Sequence, residues 1–340
     1  MTVRLGIIGV GVMGADHART IASQVAGARI HGIYDANPER ARQIADEVGA
    51  IDVAGDPMHL IDDPQVDAVL IASPDSTHKE LTLACVTARK PVLCEKPLAP
   101  TSQECLELID AEVKAGKRFV QVGYMRRYDP SYVEMKSHLA AGLLGRPLLF
   151  HCIHRNVAAP PWFDGGMAIA NSAVHEFDIA RWLLSGDLTA ISVFRPASTS
   201  AQSPGAPVFL VLDGAGGTLV TIEVFIDAAY GYDVKGELVC EKGTVELQRP
   251  VNGIVNHALS QGASYPVDWR PRFQDAYRLQ AQGWIEGIRS GRPNGASAWD
   301  GYAATRVAEA GLQSLRSGRR EEIPMAAMPK LYDLRTTLQA

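Results

Sequence analysis

Residues 3–14 read VRLGIIGVGVMG. Residues 3–8 form a short apolar run that is typical of a buried strand, and the next six residues have the pattern G-x-G-x-x-G. An apolar helical pattern over 15–25 follows directly. Because a glycine turn between a strand and a helix is the context that gives this motif its meaning, the stretch predicts a βαβ unit at the start of the chain.

The alternation of strands and helices continues to residue 123. We predict helices at 38–48, at 77–88 and from 102 to Gly116, the last one opened by a Thr101–Glu104 capping box. The predicted strands between them lie at 29–35, 66–72, 91–95 and 118–122. This order predicts an α/β first domain over 1–123, an N-terminal Rossmann domain with a doubly wound parallel sheet.

The pattern changes after residue 123. Strands are predicted at 147–155, 191–195, 208–213, 218–227, 235–240 and 244–248, with a hairpin turn at 214–217. The predicted helices are a single early one at 170–184 and two late ones at 273–289 and 299–316. We expect a second domain over 124–340, an α+β domain with a large, open, mostly antiparallel sheet, whose C-terminal segment packs back on the first domain. Because an open sheet face must be covered, we also expect a homo-oligomer.

Composition excludes several classes of protein. Apolar residues make up 46% of the 340 residues and charged residues 21%, which is typical of a folded globular protein. The apolar runs are far shorter than the roughly 20 residues that span a bilayer, and we expect neither a signal peptide nor a membrane partner. The net charge of −5 predicts no nucleic-acid partner. Five cysteines without CxxC spacing predict reduced thiols in a cytoplasmic protein and no metal site.

The glycine turn predicts a dinucleotide site. Its glycines let the backbone approach a pyrophosphate, which would lie at the N-terminus of the following helix. The residues of the turn that we assign to cofactor binding are Gly9, Gly11, Val12, Met13 and Gly14. Asp35 ends the second predicted strand, where a carboxylate accepts hydrogen bonds from ribose hydroxyls and repels a 2′-phosphate, so we predict NAD in preference to NADP. The alternative is a glycine turn that serves close packing alone.

The ends of later strands supply further candidates, because ligands of such sheets bind outside the carboxyl ends of the strands. Ser73 and His78 follow one strand, and Glu95, Lys96 and Pro97 end another. We assign Ser73, His78, Glu95 and Lys96 to the cofactor site, with Lys96 next to the nicotinamide. A solvated charge is the alternative for the lysine, and packing or capping competes evenly with a cofactor contact for His78.

A helix of the second domain carries polar residues on one face. Asn171, His175 and Asp178 are spaced i, i+4 and i+7, which places them on the same side of an α-helix. A histidine on an apolar helix is often a satisfied core residue. The two polar neighbours make a catalytic role for His175 an equal alternative.

These motifs together carry a resemblance. The glycine turn, Glu95-Lys96-Pro97 and His175-Glu176-Phe177-Asp178 resemble the glucose-fructose oxidoreductase/inositol dehydrogenase (Gfo/Idh/MocA) family. Four further stretches resemble its inositol 2-dehydrogenase branch, and the likeness covers nearly the whole chain. They are residues 121–129 (QVGYMRRYD), 151–156 (HCIHRN), 230–233 (YGYD) and 299–302 (WDGY).

The resemblance implies a two-domain, usually tetrameric, NAD-dependent polyol dehydrogenase. Lys96 would match the family lysine that touches the nicotinamide ribose and the reacting hydroxyl, and His175 would match the general base. Pro97 would follow a cis peptide bond. The positions that would line the substrate pocket are Arg127, His154, Asn156 and Tyr232, with Asn171 and His175.

One position departs from the branch. Four residues before the histidine the branch carries an aspartate, whereas this chain has Asn171. Asparagine can still hold a substrate hydroxyl, but it lacks the charge that favours an imidazolium. We therefore expect a less basic His175 than in the aspartate enzymes.

The predicted chemistry is oxidation of a ring hydroxyl of a cyclic polyol, inositol in particular, by hydride transfer to NAD⁺. His175 would accept the hydroxyl proton, Lys96 would stabilise the developing alkoxide, and Asn171 would orient the hydroxyl. Three alternatives stay open: an aldose or pyranose substrate, scyllo-inositol, and a non-catalytic NAD-sensing protein.

Overall fold

A computed structural model describes residues 2–161, 163, 165–197, 205–248 and 253–333. The chain packs as two compact units. The first unit comprises residues up to 128 together with 275–305 and the segment from 325, and the second unit comprises 129–274 and 306–324. The domain boundary that we expect near residue 123 stays a prediction.

The first unit contains a six-stranded parallel sheet with the order β3-β2-β1-β4-β5-β6. The strands are β1 (Val3–Ile8), β2 (Ala28–Tyr34), β3 (Asp52–Val53), β4 (Ala68–Ile71), β5 (Val92–Cys94) and β6 (Val120–Val122). The helices between them are α1 (Val12–Gln24), α2 (Pro38–Val48), α3 (Pro57–Asp62), α4 (Asp75–Thr87) and α5 (Ser102–Ala115). The predicted doubly wound parallel sheet is confirmed, and β3 and α3 are additions to it.

Local sequence signals explain the helix ends of this unit. The predicted capping box is present at α5, where Thr101 and Glu104 each bond the other's backbone N–H, and Gly116 ends the helix with a left-handed conformation. The core of the unit is the apolar run of β1 packed against α1 and α2, with Trp284 and Ile285 of a later helix buried in the same cluster.

The second unit is built around a seven-stranded sheet with the order β12-β11-β7-β10-β9-β8-β15. Its strands are β7 (Pro147–Arg155), β8 (Ala190–Phe194), β9 (Val208–Asp213), β10 (Leu219–Phe225), β11 (Asp233–Cys240), β12 (Gly243–Glu246) and β15 (Glu321–Glu322). A separate hairpin joins β13 (Val255–His257) and β14 (Ser260–Gly262). The sheet is mostly antiparallel, as predicted, and β7 pairs with β10 in parallel.

Helices α6 (Pro130–Ala140) and α7 (Val174–Leu184) belong to the second unit, and the two late helices are α8 (Trp269–Ser290) and α9 (Ala298–Ser317). The prediction of a single early helix in this region was wrong, because α6 precedes the sheet. Asp129 caps α6 and Pro130 occupies its first turn, but only Tyr132 and Met135 are buried, so the helix has little apolar periodicity. No helix within the described ranges has both the length and the apolarity that crossing a membrane requires.

Candidate active site

The parallel strands of the first unit end side by side. The backbone N–H of Ala72 donates to the Ile8 carbonyl (2.8 Å), and that of Glu95 donates to the Ile71 carbonyl (2.9 Å). The loops that follow β1, β4 and β5 therefore emerge at one edge of the sheet. This edge carries the glycine turn, Ser73, Glu95 and Lys96, and the Gly9 N–H donates to the carbonyl of Tyr34 (2.8 Å), the residue before Asp35.

The three glycines of the turn do not all have the same physical role. Gly9 has a φ of +87°, and a Cβ there would lie 2.5 Å from the Ser73 nitrogen. A Cβ on Gly14 would lie 1.9 Å from the Gly9 oxygen, so both positions exclude a side chain for packing reasons. At Gly11, no atom of the described chain lies within 4 Å of the ideal Cβ. Packing therefore accounts for two glycines, while the third leaves open space.

The residues of this turn fit the pyrophosphate and ribose of a dinucleotide. Helix α1 begins at Val12, which is 60% exposed, and no side chain of the described residues caps it at Gly11. Its first backbone N–H groups and its dipole thus favour an anion. Asp35 Oδ2 accepts from Val10 N (2.7 Å) and Oδ1 accepts from Asn37 N (2.9 Å). Both oxygens keep a lone pair for a ribose hydroxyl.

The backbone of Lys96 is held by a buried carboxylate. Lys96 N–H donates to Glu95 Oε2 (3.1 Å), and Glu95 Oε1 lies 2.7 Å from His17 Nε2. Burial disfavours the charge of Glu95, but His17 and Lys96 outweigh it and lower the pKa of this carboxyl. Gly123 provides the space that this carboxylate occupies, because a Cβ at position 123 would lie 2.8 Å from the carboxylate of Glu95. The role of His17 has no local signal in the sequence, because His17 lies 78 positions before Glu95.

The peptide bond between Lys96 and Pro97 is cis, as the resemblance implies. Behind it lies His78, which is 1% exposed. His78 Nδ1 is 2.7 Å from the Pro97 carbonyl oxygen, and Nε2 is 2.9 Å from the Ser73 carbonyl oxygen. The ring thus contacts backbone on both sides. A direct cofactor contact of His78 stays a prediction.

In the second unit, His175 lies in the first turn of α7, and a π-helical turn (Ala168–Ser172) precedes this helix. Ala173 N–H donates to the Ala168 carbonyl, five residues back (3.0 Å). Our prediction of an unbroken α-helix from 170 was therefore wrong, and Asn171 is shifted from the position that regular i, i+4 spacing would give it. Single π turns occur mostly at functional sites.

Three of the predicted residues come together in this unit. The ring of His154, on β7, has its centroid 6.4 Å from that of His175 and 6.0 Å from that of Tyr232, which it meets edge-on. His154 Nδ1 lies 3.2 Å from Oε2 of Glu176, whose side chain is fully buried. Glu176 thus orients His154. This role was not predicted, because the two residues lie 22 positions apart and their pairing has no local signal.

The other two substrate candidates lie in separate units. Asn156 follows β7, and its side-chain Oδ1 is buried without a hydrogen-bond partner among the described residues. Arg127 follows β6 in the first unit, and its guanidinium lies 2.9 Å from Asp300 Oδ1. Asp300 comes from the stretch 299–302 that carries the resemblance. Arg127 is therefore oriented by a residue that sequence analysis quoted without a role.

No group of three or more His, Cys, Asp or Glu side chains able to hold a metal ion occurs in the part of the chain that the structure describes. The five cysteines are all buried, and none of them forms a disulfide.

Comparison with known proteins decides the family. Residues 3–124 match the family model described as an oxidoreductase family with an NAD-binding Rossmann fold, and 132–246 match the Gfo/Idh/MocA C-terminal domain. A protein of Saccharopolyspora erythraea named inositol 2-dehydrogenase 1 is 50% identical over 335 residues, which cover 98% of this chain and 99% of the relative. The chain belongs to the Gfo/Idh/MocA family.

Two more family members are similar over almost their full length. An inositol 2-dehydrogenase of Streptomyces avermitilis is 42% identical, with 96% of each chain covered. The crystal structure of myo-inositol dehydrogenase from Lactobacillus casei in complex with NAD(H) and myo-inositol has a TM-score of 0.93 and 31% identity. It matches 98% of this chain and 100% of its own.

Proposed function

We propose that this member of the family oxidises a ring hydroxyl of a cyclic polyol with NAD⁺, acting on myo-inositol to give an inosose. The observation that carries the proposal is the high identity over nearly the whole chain to relatives named inositol 2-dehydrogenase. The fit of the glycine turn and Asp35 to a dinucleotide supports the cofactor. Bound NAD⁺ would supply the hydride acceptor.

The first unit would hold the cofactor at the carboxyl edge of its sheet. The open space at Gly11 and the uncapped start of α1 would take the pyrophosphate, and Asp35 would bind the adenosine ribose. Ser73 and Lys96 follow neighbouring strands of the same edge and would lie nearest the nicotinamide half.

The reaction that we propose removes a proton and a hydride from one carbinol. His175 accepts the proton of the hydroxyl as general base, a contribution typically worth about 10²–10⁴-fold. The Lys96 ammonium stabilises the alkoxide that develops as the proton leaves. Asn171 binds the hydroxyl or its neighbour with its amide, which can both donate and accept. Protein groups thus supply position and charge, and the cofactor supplies the redox step.

The remaining candidates would recognise the other hydroxyls of the ring. His154, fixed by Glu176, and the buried Oδ1 of Asn156 offer hydrogen-bonding atoms, and Tyr232 lies beside His154. Arg127, oriented by Asp300, is a further donor. An uncharged polyol matches this mixture of neutral and charged groups.

We further propose a cytoplasmic homotetramer that uses the exposed sheet face. Phe194 and Phe209 pair across β8 and β9 and are 55% and 43% exposed, which is unusual for large apolar side chains unless another surface covers them. Sedimentation of the 36.6 kDa chain tests the state. A Phe209→Glu variant should dissociate the assembly, and a wild-type protein that sediments as a monomer would contradict it.

The test of the reaction is a scan for NADH formation with myo-inositol, scyllo-inositol, chiro-inositols and aldoses. We expect the highest kcat/KM with myo-inositol. A higher kcat/KM with scyllo-inositol or an aldose would show that myo-inositol is not the preferred substrate, but the proposed type of reaction would remain. Failure of bound NAD⁺ to be reduced in a single turnover by any of them, in protein that binds NAD, would favour a sensor and overturn the proposal.

A further inference from the structure

The ring of His78 faces two acceptors and no neutral tautomer satisfies both. A carbonyl oxygen only accepts hydrogen bonds, and both ring nitrogens lie within 2.9 Å of one. A neutral imidazole has one N–H and one lone pair, so it would leave a lone pair directed at an oxygen in a buried site. An imidazolium donates to both oxygens, those of Ser73 and Pro97.

The polar and titratable groups around the ring agree with this geometry. Burial disfavours the imidazolium, but Cys94 at the end of β5, the Pro97 carbonyl and the Asp75 carboxylate in the first turn of α4 outweigh it. Together they raise the pKa of His78 to about 10.

The two carbonyls belong to the loops that bear the site. Ser73 follows β4, and Pro97 follows Lys96 directly. With Glu95 bonded to the Lys96 N–H on one side and His78 bonded to the next carbonyl on the other, the backbone of the lysine is fixed at both ends. Displacing that carbonyl would displace the ammonium.

We propose that His78 is a positioning residue, a buried imidazolium that ties the loops after β4 and β5 together and so sets the position of Lys96. The inference rests on the proposed function of Lys96. It is an indirect role, distinct from the direct cofactor contact of His78, which stays a prediction.

The charge of His78 is measured without substrate. Solid-state ¹⁵N spectra of histidine-labelled protein, with the His78 signals assigned by their loss in His78→Gln, should show both nitrogens protonated at a pH between 6.5 and 10. A neutral tautomer in that range would overturn the proposal. That result would not affect the proposed reaction. Conversely, if no substrate of the panel gave NADH, the proposed reaction would be wrong, but the ¹⁵N measurement of the charge of His78 would still be valid.

The stability of the protein should follow the same titration. A histidine whose pKa is raised by folding contributes stability that is complete below its unfolded value of about 6.5 and is lost as the pH rises through about 10. The thermal midpoint of the wild type should therefore fall towards that of His78→Gln between these values. A constant difference across the range would contradict the imidazolium.

The positioning role is tested by a double-mutant cycle. His78→Phe removes both donors and should lower kcat by about 10²-fold, the cost of misplacing a reacting group by about 1 Å, while NADH binding persists. In a Lys96→Ala background the same change should cost little more, because its effect passes through the lysine. His78→Gln, which keeps one donor, should recover part of kcat. Equal losses with and without Lys96 would overturn the role.

His31 provides the matched control. It is a 4% exposed histidine of the same unit, on β2, and its Nε2 lies 3.1 Å from Asp63 Oδ2. His31→Phe should lower stability and leave kcat and its dependence on Lys96 unchanged. A turnover loss like that of His78→Phe would attribute both effects to general destabilisation and would contradict the proposal.

Discussion

Lys96 and His175 are held by different kinds of interaction. The lysine follows a strand of the first unit, where buried charged side chains, Glu95 and His78, bond to the backbone around it. The histidine lies on a helix of the second unit, just after a π turn, and its ring centroid is 6.4 Å from that of His154. The backbone of the lysine is thus held by hydrogen bonds to buried side chains, whereas the histidine is carried by a helix and faces a second imidazole ring. The two should therefore respond differently to substitution.

The largest effect is expected at the histidine. His175→Ala should lower kcat by about 10²–10⁴-fold, because no other group is assigned to accept the hydroxyl proton. The affinity for NADH, measured by fluorescence, should stay close to that of the wild type. His138→Ala, which changes an exposed histidine on α6, is the control. Normal turnover of His175→Ala would show that His175 is not the general base.

Loss of the ammonium comes next. Lys96→Ala should lower kcat by about 10²–10³-fold, the cost of removing one group that stabilises developing negative charge. Lys79→Ala serves as the control, since Lys79 belongs to the same unit and pairs with Glu107 on the surface. If Lys96→Ala and Lys79→Ala have the same kcat in steady-state kinetics, Lys96 does not stabilise the developing alkoxide.

The glycine turn separates packing from binding. Gly14→Ala should lower the free energy of unfolding by about 1–3 kcal/mol, because its Cβ would meet the Gly9 oxygen. Gly11→Ala meets no described atom and should change the unfolding free energy by less than about 0.5 kcal/mol while weakening NADH binding. Urea denaturation and NADH titration measure both. Unchanged NADH affinity in Gly11→Ala would mean that the space at Gly11 is not a binding space.

A smaller effect is expected at the end of β2. Asp35→Ser removes a negative charge near the position of a 2′-phosphate, and should raise the kcat/KM ratio of NADP⁺ over NAD⁺ by about tenfold, equivalent to 1.4 kcal/mol. Asp46→Ser changes a carboxylate elsewhere in the same unit as the control. Equal ratios in the two variants would show that Asp35 does not set the preference.

The smallest change tests the departure at Asn171. Asn171→Asp would place an anion four residues before His175 and favour its protonated form. Because the base must be neutral to accept a proton, the acidic limb of the kcat/KM profile should move to higher pH. Asn171→Ser, without a charge, should leave the limb in place. If Asn171→Asp and Asn171→Ser have the same pH profile of kcat/KM, the charge at position 171 does not influence the protonation of His175.

Features that depend on neighbours in sequence were predicted well. The capping box of α5 involves residues three apart, and β7 and β9 have the predicted bounds because their apolar and polar residues fit a pleat. The glycine turn between β1 and α1 was also confirmed, because its pattern lies directly between the strand and the helix. Each of these signals lies within a few residues of the element that it defines.

Features that depend on distant partners were not predicted. His17 holds Glu95 across 78 positions, and Glu176 holds His154 from another element. The π turn before α7 has no simple periodicity, so a regular helix was the natural expectation. Parallel pairing of β7 with β10 is likewise set by the whole sheet. Fold class and candidate residues were thus accessible from sequence, whereas the interactions that hold them required the structure.

The central claim is a hydride transfer from a polyol carbon to NAD⁺. It is tested most directly with myo-inositol that carries deuterium on the carbon bearing the oxidised hydroxyl, followed by mass spectrometry of the reduced cofactor. The deuterium is expected to appear in the reduced nicotinamide, and its transfer is expected to depend on Lys96 and His175. Reduced cofactor without the label, or transfer that persists when both side chains are removed, would contradict it.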